Sequence, residues 1–253
     1  TGMVHKNIAL RRSQFEIATN KERSLALARA FVVGKIKNSK TLIRRDSENS
    51  APPTLDRLAE FQLDASRAPS IETLLGIEGM AAKWYFAALA TRFKQGSEFS
   101  LEGRNRRPPT DPINAMLSFL YSILGKELAV ALQSVGFDPM LGFLHQPRYG
   151  RPALALNLCE EFRPIVVDST VLSLVNTGEI RPSDFIKQGD AVAMTPSGRK
   201  TVLGAYERRM DTLVTHPIFG YRISYRRVLE VQARLLSRVI RGEVAEYPSF
   251  AVR

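Results

Sequence analysis

The residues best suited to chemistry lie in a histidine-containing loop and in the helix predicted to follow it. His145 is followed by a loop rich in Pro, Gly and Arg, residues 146–152, and Pro152 suits the first position of a helix. In such a helix Asn157 and Glu160 are three residues apart and share a face directed towards the loop. An imidazole nitrogen and carboxylate oxygens that converge in this way form part of a metal-binding shell, and a further ligand must come from elsewhere.

Glu78 is the best upstream candidate for that further ligand. It lies in a stretch with few other acids, and Gly76 and Gly79 flank it. Because each glycine costs roughly 1 kcal/mol in a helix interior, the pair predicts a close backbone approach or a site. Two other interpretations stay open, in which Glu78 is a solvated helix acid and His145 is a hydrogen-bonded structural histidine. Asp168 is an alternative ligand, ranked lower because it lies further along the predicted helix.

The charge balance favours a polyanionic partner. The chain of 253 residues has 36 Lys and Arg against 25 Asp and Glu, a formal net charge of +11, and nucleic acid is the commonest partner of such a protein. A basic run, residues 35–45, is either a solvated face or a phosphate-binding surface. Arginines on a Pro-rich loop need an acidic partner. The candidate DNA contacts are Arg104, Arg106, Arg107, Arg148 and Arg163.

The hydrophobic pattern predicts an all-α fold, a multi-helix bundle-like body with at most a short strand at the N-terminus. Ser70 and Asp111 suit helix N-caps, and Gly136 suits a C-terminal cap. The helix that carries Glu160 is predicted to bend or break at Pro164. The apolar residues near the N-terminus suit either a short strand or the start of a helix. Asp138 and Pro139 are predicted to open a short helix that ends at His145, and a later helix is predicted to continue to about residue 215.

Cysteine content and hydropathy bear on the compartment. Cys159 is the single cysteine, which excludes a disulfide framework and a Cys-rich zinc site and fits a reducing cytosol. We expect Cys159 to pack in the core. No segment is expected to have the length and apolarity of a membrane span, so the predicted location is cytoplasmic.

Four strings in order resemble a known family. They are residues 76–79 (GIEG), 111–121 (DPINAMLSFLY), 142–145 (GFLH) and 160–164 (EEFRP). Together they are similar to the CRISPR-associated integrase of spacer acquisition, the Cas1 family. The resemblance extends over nearly the whole chain.

The resemblance implies a metal-dependent DNA integrase and endonuclease that uses a Glu, a His and a later acid. By position these are Glu78, His145 and Glu160, as catalytic residues and as ligands of Mg²⁺ or Mn²⁺. The family often has Asp where this chain has Asn157, whose amide keeps an oxygen acceptor without the negative charge and is a candidate for orienting a ligand.

The same resemblance implies the domain organisation and the partners. Residues 1–17 are predicted to be a remnant of, or linker from, a missing N-terminal β domain, and residues 18–253 the helical integrase domain. The implied partners are double-stranded DNA (spacer precursor and repeat array), a second copy of the chain, a dimer of the Cas2 protein and a fused reverse transcriptase or nuclease module.

Both nuclease and integrase chemistry fit such a site, because they differ only in whether water or a DNA 3′-hydroxyl attacks the phosphodiester. The family resemblance favours insertion of short DNA into a repeat array. The alternative is a catalytically weakened helical DNA-binding scaffold of the same adaptation complex. A non-haem iron oxygenase needs two histidines, and neither His5 nor His216 has a suitable context.

Overall fold

The protein is a helical body with two small β-hairpins, as the all-α prediction required. A computed structural model describes residues 7–45, 52–94, 98–105, 108–145 and 148–252. The helices are α1 (Ile8–Thr19), α2 (Lys21–Arg45), α3 (Pro52–Arg67), α4 (Ile71–Ala90), α5 (Pro112–Val135), α6 (Ala153–Phe162), α7 (Ser169–Asn176), α8 (Pro196–Asp211) and α9 (Tyr225–Ile240). The antiparallel hairpins pair β1 (Phe185–Gln188) with β2 (Ala191–Met194), and β3 (Leu213–Thr215) with β4 (Arg222–Ser224).

The predicted helix caps are confirmed. The side chain of Ser70 accepts a hydrogen bond from the backbone N–H of Thr73, and that of Asp111 accepts one from Asn114. Gly136 ends α5 in the left-handed conformation, with φ of 112°, which costs a glycine little. These caps set where α4 and α5 begin and where α5 ends.

The structure decides one open question about elements and corrects two expectations. Near the N-terminus, where the pattern allowed a short strand or the start of a helix, α1 forms and buries Leu10 and Ile17 in the core. The segment opened by Asp138 is a series of turns and bends up to His145 instead of a short helix. The helix expected to reach residue 215 ends at Asp211, because residues 213–215 pair as β3 with β4.

Helix α5 is the central core helix. Its buried residues include Met116, Leu117 and Leu120, and it packs against α6 and α9. By length and hydropathy α5 is a candidate membrane span, with half of its most apolar window buried inside the protein. The expectation that no segment has such length and apolarity is therefore wrong for α5, although a core helix meets the same criteria.

The C-terminal segment ties α2 to α6. The side-chain amide of Asn38 on α2 donates to the backbone oxygens of Glu161 and Phe250, each at 2.7 Å. The carboxylate of Glu161 accepts from the Tyr247 hydroxyl at 2.6 Å and from the Phe250 backbone N–H at 2.7 Å. These buried hydrogen bonds hold the two helices in a fixed register, which sets the positions of the side chains on their other faces.

Helix α6 changes geometry where a break was predicted. Residues Arg163–Asp168 form a π-helical segment that contains Pro164 and leads into α7. Proline has no N–H to donate, so the carbonyl one turn before it loses its helical partner. Arg209 of α8 donates to the backbone oxygen of Ile165 through Nε at 2.8 Å. Cys159, in α6, is fully buried as expected.

Candidate active site

Two acidic residues from different helices meet one lysine. The ammonium nitrogen of Lys35, on α2, lies 2.7 Å from Oε2 of Glu160 on α6. The same nitrogen donates to Oε1 of Glu78 on α4. The side chains of Lys35 and Glu160 are 10% and 3% exposed and that of Glu78 is 22% exposed, so the Lys35–Glu160 pair is nearly free of solvent and Glu78 lies at its edge.

His145 and Arg163 complete the cluster on the side of Glu160. Nε2 of His145 lies 3.9 Å from Oε1 of Glu160, and a terminal nitrogen of Arg163 lies 3.0 Å from the same oxygen. The structure therefore brings together Glu78, His145 and Glu160, which the sequence places in three separate segments. Their catalytic and metal-binding roles remain predictions.

The glycine that allows a close approach is Gly142, not the pair beside Glu78. A Cβ atom at Gly76 or Gly79 would meet nothing within 4 Å, so the expected close backbone approach at those positions is wrong. A Cβ at Gly142 would lie 2.7 Å from Oδ1 of Asn157 and 2.8 Å from the backbone carbon of Ala153. Only glycine lets the segment that carries the imidazole lie this close to α6.

Neighbouring opposite charges keep Glu160 and Lys35 ionised. Burial alone would raise the pKa of Glu160, but Arg163 and Lys35 lower it to about 2. Burial would likewise lower the pKa of Lys35, and Glu160 and Glu78 reverse this and raise it above its ordinary value. The carboxylate and the ammonium are therefore both charged at neutral pH, and each stabilises the other in a medium of low dielectric constant.

Asn157 contacts the imidazole of His145 at Nδ1, the ring nitrogen on the side away from Glu160. Its Oδ1 accepts hydrogen bonds from the backbone N–H groups of Phe143 at 2.7 Å and Leu144 at 3.1 Å. Its Nδ2 lies 2.6 Å from Nδ1 of His145. Burial lowers the pKa of His145 to about 4, so the imidazole is neutral under physiological conditions. Asn157 thus contacts His145, and its role in orienting a ligand remains a prediction.

Asp168, the alternative ligand, belongs to a neighbouring buried network. Its carboxylate accepts a hydrogen bond from the hydroxyl of Tyr85 at 2.6 Å and another from Tyr121. The guanidinium of Arg163 stacks over the Tyr121 ring at 4.8 Å from its centroid. A cavity of about 30 Å³ lies between this network and Lys35. Asp168 therefore supports the site from the side of Arg163, with both carboxylate oxygens already hydrogen-bonded.

A divalent cation fits these residues only after a rearrangement. Among the described residues, no group of three or more His, Cys, Asp or Glu side chains is close enough to hold a metal ion. The two carboxylates nevertheless already share one cation, the ammonium of Lys35. Oε2 of Glu160 is buried and lies 2.7 Å from the ammonium nitrogen of Lys35. Withdrawal of that ammonium would leave a site with the charge and oxygen donors that Mg²⁺ or Mn²⁺ requires.

The arginines expected to contact DNA differ in their surroundings. Arg148 is exposed. Arg104 is half-buried and donates to Asn114 at 2.6 Å and to Ser118 at 2.9 Å, and the side chain of Arg163 is 12% exposed against Glu160. Arg104 and Arg163 thus have internal partners. The remaining candidates, Arg106 and Arg107, lie outside the described residues.

Lys35 was not predicted to be a site residue. It stands in the basic run of residues 35–45, which suggested either a solvated face or phosphate binding. One signal was available, since Lys35 lies at helical spacing among apolar residues of α2 that are buried, including Val32 and Ile36. A lysine inside an apolar stripe needs an acidic partner.

Solved structures of a casposase and of a Cas1 protein have this fold. A casposase bound to an integration product matches with a TM-score of 0.84 and 25% identity, covering 96% of this chain and 68% of that one. A Cas1 protein of Thermotoga maritima matches with a TM-score of 0.82 and 26% identity, covering 92% of this chain and 71% of that one. The fold class is therefore that of the casposase and Cas1 proteins.

Sequence comparisons establish the family. The family model described as "CRISPR associated protein Cas1" matches residues 1–208. An endonuclease Cas1 of Moorella thermoacetica is 40% identical over the whole of this chain and 76% of its own length. The chain belongs to the Cas1 family.

A fused relative is also similar. The Cas4 exonuclease/Cas1 endonuclease fusion of Geobacter sulfurreducens is 49% identical over 98% of this chain and 46% of its own length. The chain thus spans about half the length of that relative. This agrees with the expectation that such sequences occur joined to other modules.

Proposed function

We propose that this chain is a metal-dependent DNA integrase and endonuclease of CRISPR adaptation, which inserts short DNA into a repeat array. The observation that supports the proposal best is the meeting of Glu78 and Glu160 at the buried ammonium of Lys35, with the imidazole of His145 3.9 Å from Glu160. Two carboxylates from separate helices are unusual in a buried place unless they bind a cation.

The proposed cofactor is Mg²⁺ or Mn²⁺, held by Glu78 and Glu160 after the ammonium of Lys35 has moved aside. When bound, such an ion neutralises charge on a phosphodiester and favours deprotonation of the attacking oxygen. Carboxylate oxygens suit these hard cations. The presence of His145 next to Glu160 places an imidazole beside the same site.

The residues of the chain supply positive charge of their own. Lys35 and Arg163 both lie against Glu160, and the positive charge of Arg163, which stays in place when Lys35 moves aside, helps to attract a DNA phosphate. Arg163 is held on the Tyr121 ring, and Tyr121 is held by Asp168. This network keeps the guanidinium oriented, which reduces the cost of organising charge when the substrate arrives.

The proposed partners follow those of similar proteins. A solved complex described as Cas6-RT-Cas1–Cas2 matches this chain with a TM-score of 0.83 and 26% identity over 97% of the chain. We propose that this chain likewise assembles with a Cas2 dimer as a homodimer and binds double-stranded DNA, in the cytoplasm. The fusion of the Geobacter relative supports a covalent or non-covalent nuclease partner.

The test is a strand-joining assay with a labelled duplex bearing free 3′-hydroxyls, a repeat-containing target and Mn²⁺. Glu160→Gln and Glu78→Gln each remove one charge at the site, and we expect a loss of at least about a hundredfold in joining and cleavage. Glu60→Gln, on the exposed face of α3, is the matched control and keeps full activity. Salt-dependent DNA binding persists in all three variants. Full activity of Glu160→Gln would refute the proposed site.

The second candidate is a DNA-binding scaffold of the same complex, in which the metal site is weakened. Two observations favour it. Glu160 is already paired with both Lys35 and Arg163, and position 157 carries an amide in place of a carboxylate. A chain that binds DNA in a salt-dependent manner without any effect of Mn²⁺, and that does not join strands when Mn²⁺ is added, would establish this candidate instead.

A further inference from the structure

The orientation of the Asn157 side chain is determined by the backbone around it. Asn157 is fully buried, and its Oδ1 accepts from two successive N–H groups, those of Phe143 and Leu144. The opposite orientation would place the amide NH₂ against these two donors and leave three polar groups unsatisfied. Nδ2 is therefore the atom that faces His145, at 2.6 Å from Nδ1.

This orientation decides which nitrogen of the imidazole carries the proton. The NH₂ group of an amide only donates, so Nδ1 of His145 must accept. A neutral imidazole has a single N–H, which is then on Nε2, the nitrogen that faces Glu160 at 3.9 Å. A doubly protonated ring would set an N–H of its own against the Asn157 donor.

A metal ligand needs the opposite arrangement. A histidine that ligates through Nε2 carries its proton on Nδ1 and donates it to a carboxylate or carbonyl oxygen. Both lone-pair directions of Oδ1 of Asn157 are directed at backbone donors, and this side chain has no second oxygen. An Asp in the same place would have one, and its second oxygen would accept from Nδ1–H.

We propose that Asn157 holds His145 in the neutral form with its proton on Nε2, so that the imidazole faces the site as a hydrogen-bond donor to an anionic oxygen and not as a metal ligand. The proposal rests on the proposed function only for the identity of that oxygen, a DNA phosphate. Any divalent cation is then held by the carboxylates of Glu78 and Glu160 alone, more weakly than in a site with an imidazole ligand.

The first experiment reads the position of the proton directly. A long-range ¹H–¹⁵N correlation spectrum of the whole chain labelled with ¹⁵N-histidine, without metal or DNA, distinguishes the two neutral forms. The chain has three histidines, and loss of one set of peaks in His145→Gln assigns that of His145. We expect the protonated nitrogen to be Nε2. A proton on Nδ1 would overturn the proposal.

The second experiment measures the consequence for metal binding. In Asn157→Asp we expect the proton to move to Nδ1 and the affinity for Mn²⁺, measured by calorimetry without DNA, to rise about ten- to hundredfold. Asn20→Asp makes the same change of charge at an exposed position and is expected to alter neither quantity. If the proton of the variant has moved while its Mn²⁺ affinity is unchanged, the proton on Nε2 is not what keeps His145 from binding the metal, and that part of the proposal is overturned.

A further variant decides the question if Asn157→Asp does not fold. Removal of the imidazole in His145→Ala is expected to leave Mn²⁺ affinity within about twofold of the wild-type value, whereas loss of a ligand costs tenfold or more. A tenfold loss would overturn the proposal. All these measurements omit DNA, so a chain that fails to join strands refutes the proposed function without touching the assignment of the proton.

Discussion

Lys35 and Glu160 form a nearly solvent-free ion pair, 2.7 Å between Nζ and Oε2, that joins two helices at the candidate active site. Glu78 contacts the same ammonium. One lysine thus compensates two carboxylates, and the stability of this part of the protein depends on that compensation until another cation replaces it.

Replacement of Lys35 is expected to lower the stability of the folded protein, and bound metal is expected to restore part of that stability. Lys35→Met leaves two carboxylates without their shared cation, and removal of one partner from a buried pair costs about 3–5 kcal/mol. Thermal unfolding should therefore occur at a lower temperature, and Mn²⁺ should raise the midpoint more than it does in the wild-type chain. Lys37→Met, on the exposed side of the same helix, changes stability by no more than about 0.5 kcal/mol. Wild-type stability of Lys35→Met without metal would contradict this account.

The stability contributed by Asp168 is expected to fall as the pH rises. Burial raises the pKa of Asp168 to about 6 from an ordinary value of 3.8, so the folded state holds a proton that the unfolded state has released. The free energy of unfolding, relative to Asp168→Asn, should decrease between about pH 4 and pH 6 by up to about 1.4 kcal/mol per unit, and then stay level. Denaturant titrations at a series of pH values measure this difference.

A matched control separates this effect from the titration of other acids. Asp190 is exposed in the turn between β1 and β2. The free energy of unfolding of Asp190→Asn should therefore change with pH in the same way as that of the wild type over the same range. If the free energy of unfolding of the wild type relative to Asp168→Asn rose with pH, the hydrogen bonds from the tyrosines would have a larger effect on the pKa of Asp168 than burial has.

An added methyl group should have opposite effects at two glycines. In Gly142→Ala the new Cβ would lie 2.7 Å from Oδ1 of Asn157, and we expect a loss of about 1–3 kcal/mol in the free energy of unfolding. In Gly125→Ala, within α5, the nearest atom is Cδ2 of Leu156 at 3.8 Å, so a gain of up to about 1 kcal/mol is expected. Equal effects of the two substitutions in chemical denaturation would rule out a close approach at Gly142.

Two arginines should affect DNA binding differently. Arg148 is exposed, and its replacement by Ala should lower the slope of log affinity against log salt concentration by about 1, as for one lost phosphate contact. Arg104→Ala breaks hydrogen bonds to Asn114 and Ser118 and should lower the unfolding temperature without changing that slope. Fluorescence anisotropy at several salt concentrations measures both slopes, and an unchanged slope for Arg148→Ala would exclude it as a contact.

Features that depend on neighbouring residues were predictable. The caps at Ser70, Asp111 and Gly136 follow from side chains and backbone conformations within a few residues. The break at Pro164 has the same local cause. Helix α8 was predicted too long, because the pairing of residues 213–215 with Arg222–Ser224 is a contact between strands that no helical period reveals.

By itself, the sequence determined the helical class of the protein and its basic charge, which are carried by composition and by spacing along the chain. Its resemblance to the Cas1 family selected the three side chains worth testing as a site. Only the tertiary structure decided that Lys35 is the shared partner of Glu78 and Glu160, and that the amide of Asn157 points its NH₂ group at His145. Each depends on distances between segments far apart in sequence, and on the orientation of groups that compete for the same hydrogen bonds.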